Sequence, residues 1–319
     1  MKKILIISVI LCVGLIANAQ QIPLYSQYMF NRYLLNPAVG GSEEGANFML
    51  GYRNQWIGFE DAPKTFYLSY HTSIEEGKQG RKKFKPKQQK NNHGFGSFLF
   101  NDRTGPTSRT GGYASYAYHI SLDRDIRASL GTFIGAMQYA IHADQIHLAD
   151  GSNDLDQALN NGNYTKFLPD ASVGLYVYSE KFFAGASVFQ LLQNKYNLNS
   201  DIFIHSKLYN HYLLSGGYNF ELNEDVKLEP SLMMKYVRSA PLIMDFNIKS
   251  TYKELIWLGA SYRNKGTLTG LFGINFNKTA EFGYSFDYSF LSLNTYPGSS
   301  HEIFLAYKSG KAKGKHKRR

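Results

Sequence analysis

Apolar and polar side chains alternate along most of the stretch 46–308, in runs of about ten residues. The run 281–290 shows it most plainly. Phe282, Tyr284, Phe286, Tyr288 and Phe290 share one parity, and Glu281, Gly283, Ser285, Asp287 and Ser289 share the other. An extended backbone turns successive side chains to opposite faces, so the run is predicted to be a strand with one aromatic face and one small or polar face. Such a run, about ten residues at ~3.3 Å each and tilted by about 40°, covers an apolar band about 25 Å tall, the height of an outer-membrane strand.

The same alternation predicts strands carrying Phe48, Leu50, Tyr52 and Trp56, then Phe66, Leu68 and Tyr70, with a turn at 58–62 between them. Further strands are predicted at about 93–101, 109–122, 126–141, 168–179, 181–191, 207–221, 225–238, 241–250, 254–263, 267–277, 280–292 and 300–308. The total is about fourteen, an even number as bacterial barrels require. Soluble strands average about five or six residues, so these lengths favour a membrane barrel over a soluble sandwich. The predicted fold is therefore all-β, a transmembrane antiparallel barrel at 46–308. With both termini on the inner side, the connections 143–167 and 193–206 face outward, whereas 122–125, 179–181 and 222–225 are inner turns. The connection 73–92 breaks this rule, being long yet inner.

The two ends read differently from the barrel. Lys2 and Lys3, an apolar run over 4–16 and the small-x-small site Ala17-Asn18-Ala19 predict a signal peptide at 1–19, and with it export. The stretch 20–45 is a short aromatic segment with a helix expected over 21–35, where Tyr25, Tyr28, Met29 and Tyr33 approximate one face and Asn36-Pro37 stops the turn. It is expected to lie at the inner mouth as a plug or docking element, with Tyr25, Tyr28, Phe30, Asn36 and Pro37 as candidate contact residues. The net charge of +10 gathers at 78–90, which includes Lys82 and Lys83, and in the tail 309–319, which includes Lys315 and Arg318. Export makes nucleic acid a poor partner for these patches. Both are expected at the inner rim, facing an acidic partner or lipid headgroups.

Little catalytic or metal chemistry is legible. The only cysteine, Cys12, lies in the signal run, so no disulfide or thiol chemistry is expected of the exported chain. The nine histidines form no helical i, i+4 pair, and Asp150, Asn153, Asp154 and Asp156 do not follow calcium-loop spacing. His119 with Ser121, and His205 with Lys207, share parity without a third member for a triad. No cofactor is implied, and an outer-membrane enzyme is the weakest reading.

PLYSQYMFNRYLLNPAVGGS at 23–42, the strand Gly51-Tyr52-Arg53-Asn54-Gln55-Trp56 and the following Ala62-Pro63-Lys64-Thr65 resemble the PorP/SprF family of type IX secretion membrane proteins of Bacteroidetes. The resemblance implies an outer-membrane barrel that works with type IX secretion and gliding components. On that resemblance the barrel would help export or surface-retain a secreted adhesin or other cargo through its C-terminal domain. No active site comes with the family. The lysine-rich extension after Tyr307 departs from barrels that end on an aromatic strand residue. A passive or ligand-specific channel is the alternative.

Overall fold

The computed structural model describes residues 25–43, 45–75, 91–142, 164–197, 205–238, 240–264, 266–277, 279–290 and 299–309. Residues 1–24, the two lysine-rich segments and most of 143–167 lie outside these residues. The chain is described from Tyr25, through two 3-10 turns, η1 (Arg32–Leu35) and η2 (Pro37–Val39). The strands that follow are β1 (Ala46–Asn54), β2 (Lys64–Glu75), β3 (Asn92–Thr104), β4 (Thr107–Ser121), β5 (Arg127–Ile141), β6 (Tyr164–Tyr178) and β7 (Phe182–Phe189). A short hairpin, β8 (Lys195–Asn197) and β9 (His205–Lys207), interrupts the wall. The wall resumes with β10 (His211–Tyr218), β11 (Phe220–Glu221), β12 (Val226–Val237), β13 (Ile243–Tyr252), β14 (Ile256–Arg263), β15 (Thr267–Asn275), β16 (Ala280–Ser289) and β17 (Ser299–Ser309).

Every pairing in the wall is antiparallel, β10 and β11 act as one strand broken at Asn219, and β1 pairs with β17. The described residues thus close a barrel of fourteen strands. Closure matters because an open edge would leave unpaired peptide groups in hydrocarbon. The first and last strands meet over nine residue pairs, from Ala46 opposite Ser309 to Asn54 opposite His301.

The burial pattern is inverted relative to a soluble protein. Ile134, Leu130 and Leu258 are 64%, 61% and 60% exposed, whereas Asp245, Ser285 and Glu302 are 0%, 0% and 1% exposed. In the run 281–290, Phe286, Tyr288 and Phe290 stand outside while Ser285 and Asp287 are buried in the lumen. An apolar skin around a polar interior is stable only when the skin faces lipid.

The inner turns are short and locally pinned. Asn223 Oδ1 accepts from Asp225 N (2.9 Å) and Val226 N (2.8 Å), and Asn277 Oδ1 accepts from Thr279 N (2.8 Å) and Ala280 N (2.7 Å). Ser179 Oγ likewise accepts from Lys181 N (3.1 Å) and Phe182 N (3.0 Å). Not every outer connection is long: β3 and β4 are joined through Gly105 and Pro106 alone, with Gly105 at φ 55.

The N-terminal segment departs from the sequence expectation in two ways. It is helical only as the two 3-10 turns, not as an α-helix over 21–35. An α-helix would satisfy its peptide groups internally, but here they are shared with a polar wall on all sides, and Pro37 and the Asn36 side chain cap a new turn at once. Nor does it stop at the inner mouth. From Glu43 near the inner ends of β1 and β17 it runs through the lumen, and Tyr25 packs edge-on against Tyr67, opposite Gly51 in the outer half of the wall.

Candidate functional site

The functional geometry is the contact between the segment 25–43 and the barrel that surrounds it. Of its residues, Tyr25, Ser26, Gln27, Tyr28, Met29, Asn31, Tyr33, Leu34, Asn36, Ala38 and Val39 are all below a tenth exposed. Two different surfaces hold it.

On the wall formed by β12–β17 with β1 and β2, charged lumen residues make the contacts. Arg53 Nη2 lies 2.8 Å from Asp287 Oδ2, and both side chains are almost wholly buried. The same oxygen accepts from Ser26 Oγ (2.5 Å), while Glu302 accepts from Ser26 N (2.7 Å) and from the Tyr67 hydroxyl (3.0 Å). The Glu302 carbonyl takes Gln27 Nε2 (2.6 Å). Further round, Arg263 grips Asp245 through two hydrogen bonds (2.7 and 2.9 Å), and Asn247 Nδ2 donates to the Tyr28 hydroxyl (2.6 Å). Arg32 pairs with Glu229, which also faces Lys249 Nζ at 3.5 Å. Phe30 stacks on Trp257 at 3.9 Å, and the Arg32 guanidinium reaches across to stack 3.8 Å over Phe183 of β7. A polar cavity of about 290 Å³ opens beside this group, lined by Arg32, Glu43, Glu229, Lys249 and Lys308 among others.

On the opposite wall, β3–β7, the segment lies against glycines. A Cβ placed on Gly94 would meet the Gly40 carbonyl oxygen at 1.8 Å, one on Gly131 would meet Ala38 Cα at 2.6 Å, and one on Gly174 would meet Asn36 Oδ1 at 2.0 Å. These three positions have room only for hydrogen. The polar contacts here go mostly to backbone: Ser129 Oγ donates to the Ala38 carbonyl (2.7 Å) and Ser187 Oγ to that of Leu35 (2.5 Å). Asn36 Nδ2 donates back to the Leu175 carbonyl (2.8 Å). His119 Nε2 lies 2.8 Å from the Gly40 carbonyl, which can only accept, so the proton sits on Nε2 and Nδ1 accepts from the Tyr178 hydroxyl (2.9 Å).

The residues singled out from the sequence separate into two sets. Tyr25, Tyr28, Phe30, Asn36 and Pro37 are brought together in the lumen, where they contact the chain's own wall. Lys82, Lys83, Lys315 and Arg318 lie outside the described residues, as do Asp150, Asn153, Asp154 and Asp156. The wall residues that receive the segment were not singled out as a site. Their signal was present nonetheless: charges such as Arg53, Asp245, Asp287 and Glu302 on the polar parity of membrane strands are costly unless they meet a partner in the lumen.

Similarity to known proteins is of two kinds. No curated protein matches the chain in sequence. Among solved structures, the Ralstonia pickettii toluene transporter TbuX is similar at 13% identity and a TM-score of 0.47, over 86% of this chain and 92% of the other. The CymD monoaromatic hydrocarbon channel is similar at 13% identity and 0.48 over 89% and 92%, and the Pseudomonas putida toluene transporter TodX at 12% and 0.47 over 86% and 92%. These values support no argument about what this chain carries. The family model described as type IX secretion system membrane protein PorP/SprF, by contrast, matches residues 17–307. A closed lipid-facing barrel matched along nearly its whole length leads to one assignment: the chain belongs to the PorP/SprF family of type IX secretion system membrane proteins.

Proposed function

We propose that this protein is a non-enzymatic outer-membrane component of the type IX machinery that helps export or surface-retain a secreted cargo through the cargo's C-terminal domain. The observation that carries the reading is the occupied lumen. A passive pore needs a continuous water path, whereas here the segment 25–43 crosses the barrel and is bound along its length by wall side chains. A wall that holds one peptide so completely is a peptide-binding surface. In this reading the barrel organises a protein partner, and Tyr25, Tyr28, Phe30, Asn36 and Pro37 form the element that partner binding reads or displaces. Lys82, Lys83, Lys315 and Arg318 serve other secretion components or lipid headgroups.

The test is a strain lacking the protein, complemented with wild type or with a Tyr28→Ala, Pro37→Ala double variant. Secretion and surface retention of type IX cargo should fall without the protein. With the double variant they should fall while the barrel still assembles, as seen by heat-dependent mobility on denaturing gels. Unchanged handling of every cargo in the deletion strain, or steady single-channel conductance of the purified protein, would overturn the proposal.

A further inference from the structure

The outer end of the lumen holds a buried cation whose opposite charge is already engaged elsewhere. Lys235 is the third residue from the outer end of β12 and is 5% exposed. Alternation places it on the lumen side with Met233, while Tyr236 beside it is 49% exposed to lipid. Its register partners are Leu213 on β10 and Ile243 on β13, both apolar. Arg263, Asp245 and Arg109 are the charges that act on it, two cations and a single anion. That anion is engaged by Nε and Nη2 of Arg263. Among the described residues, Lys235 Nζ has neither a hydrogen bond nor an ion pair. A cation whose single anion is shared with an arginine is costly at this depth and favours a further negative partner.

The surroundings say what that something is. Around the same outer half, three buried acceptor atoms have no hydrogen-bond partner among the described residues: Asp170 Oδ1 on β6, Asn247 Oδ1 on β13 and Asp287 Oδ1 on β16. A bare anion would be repelled by such oxygens. A peptide satisfies both kinds of group at once, with N–H groups for the acceptors and a carboxylate for the ammonium. The chain's own residues 1–24 contain no Asp or Glu. Lipid headgroups are separated from the site by the closed wall.

We propose that the outer lumen of this barrel is a receptor for a carboxylate carried on a peptide chain, with Lys235 as its anchoring cation. This rests on the reading of the protein as a partner of secreted cargo, and it names the chemistry the cargo presents: an acidic side chain or a terminal carboxylate entering from outside.

The experiment uses the full-length protein in lipid nanodiscs. Its probes are a fluorescent octapeptide bearing two glutamates and the same peptide with glutamines. The glutamate peptide should bind about tenfold more tightly, as expected for one buried charge-assisted contact. Lys235→Met should erase that preference and raise the thermal midpoint of the peptide-free protein, because a buried charge is replaced by an apolar chain of similar length. Lys235→Arg should keep the preference. Equal binding of the two peptides, no binding of either, or a preference that survives Lys235→Met would overturn the proposal. So would acetate or phosphate binding as tightly as the peptide. Tighter peptide binding after Asp144, Asp150, Asp154, Asp156 and Asp201 are changed to Asn would mean that the chain supplies its own carboxylate, and would also overturn it. Cargo secretion in the deletion strain is scored separately. Loss of secretion there with no glutamate preference here would sink the receptor and leave the secretory reading standing.

Discussion

The two walls of the lumen hold the same segment by different physics. Along β12–β17, β1 and β2 the contacts are charged side chains set in pairs, Arg53 with Asp287, Arg263 with Asp245 and Arg32 with Glu229. Along β3–β7 the contact is steric, with backbone laid on Gly94, Gly131 and Gly174 and pinned by Ser129, Ser187 and His119. Paired charges are conditional: each is stable only while its mate is present, so the pair is replaceable as a unit and not singly. A glycine seat has no mate to change. Its requirement is space, and space is restored only by moving what lies on it.

The largest expected effect breaks a charged pair. Asp287→Ala removes the partner of the buried Arg53 and the acceptor of Ser26, and should cost about 3–5 kcal/mol in urea unfolding from lipid vesicles. Arg53→Met combined with Asp287→Leu should recover most of that loss; a double variant as unstable as the single one would erase the distinction between the walls. Next comes the seat. Gly131→Val should cost about 1–3 kcal/mol through the clash with Ala38, and deleting residues 25–43 in the same protein should cancel the cost. A penalty that persists after the deletion would place its origin in the strand and not in the lumen.

The smallest effect is at the inner mouth. Glu43 pairs with Lys308 at 3.1 Å, and that ammonium draws its carboxyl down to about 2. A depressed carboxyl adds stability above its unfolded value near 4.5 and loses it as the pH falls toward about 2. Half of each side chain is open to water, 52% for Glu43 and 44% for Lys308, so screening holds the gain to about 0–1 kcal/mol. Glu43→Gln should therefore flatten only a slight acid-side decline in stability, measured as midpoint against pH between about 5 and 2.

Much of the barrel was legible in the alternation, because lipid and lumen impose opposite demands on neighbouring residues. The parity of 281–290 alone separates the lipid-facing Phe286 and Tyr288 from the lumen-facing Ser285 and Asp287. The N-terminal segment was legible as aromatic and distinct, and Asn36-Pro37 as a break. Its conformation was not. Tyr25, Tyr28, Met29 and Tyr33 sit near one face of an ideal helix, yet in a tunnel every direction is a contact, so facial spacing has no single surface to report on. The glycines of the seat carried no signal either, since a glycine in a strand reads equally as a bend, a bulge or a close approach.

What the sequence determined by itself is local: strand after strand, which residues meet lipid, where the turns fall, and that the ends differ from the middle. Side-chain alternation is a property of neighbouring residues, and it survives without knowledge of the partner strand. Only the tertiary structure decided that Ser26 meets Asp287, that Gly40 lies on Gly94, and that Lys235 shares its nearest anion, Asp245, with Arg263. Those facts depend on which strands face each other across a closed cylinder. Closure is set by the whole circuit from β1 to β17, not by any run within it.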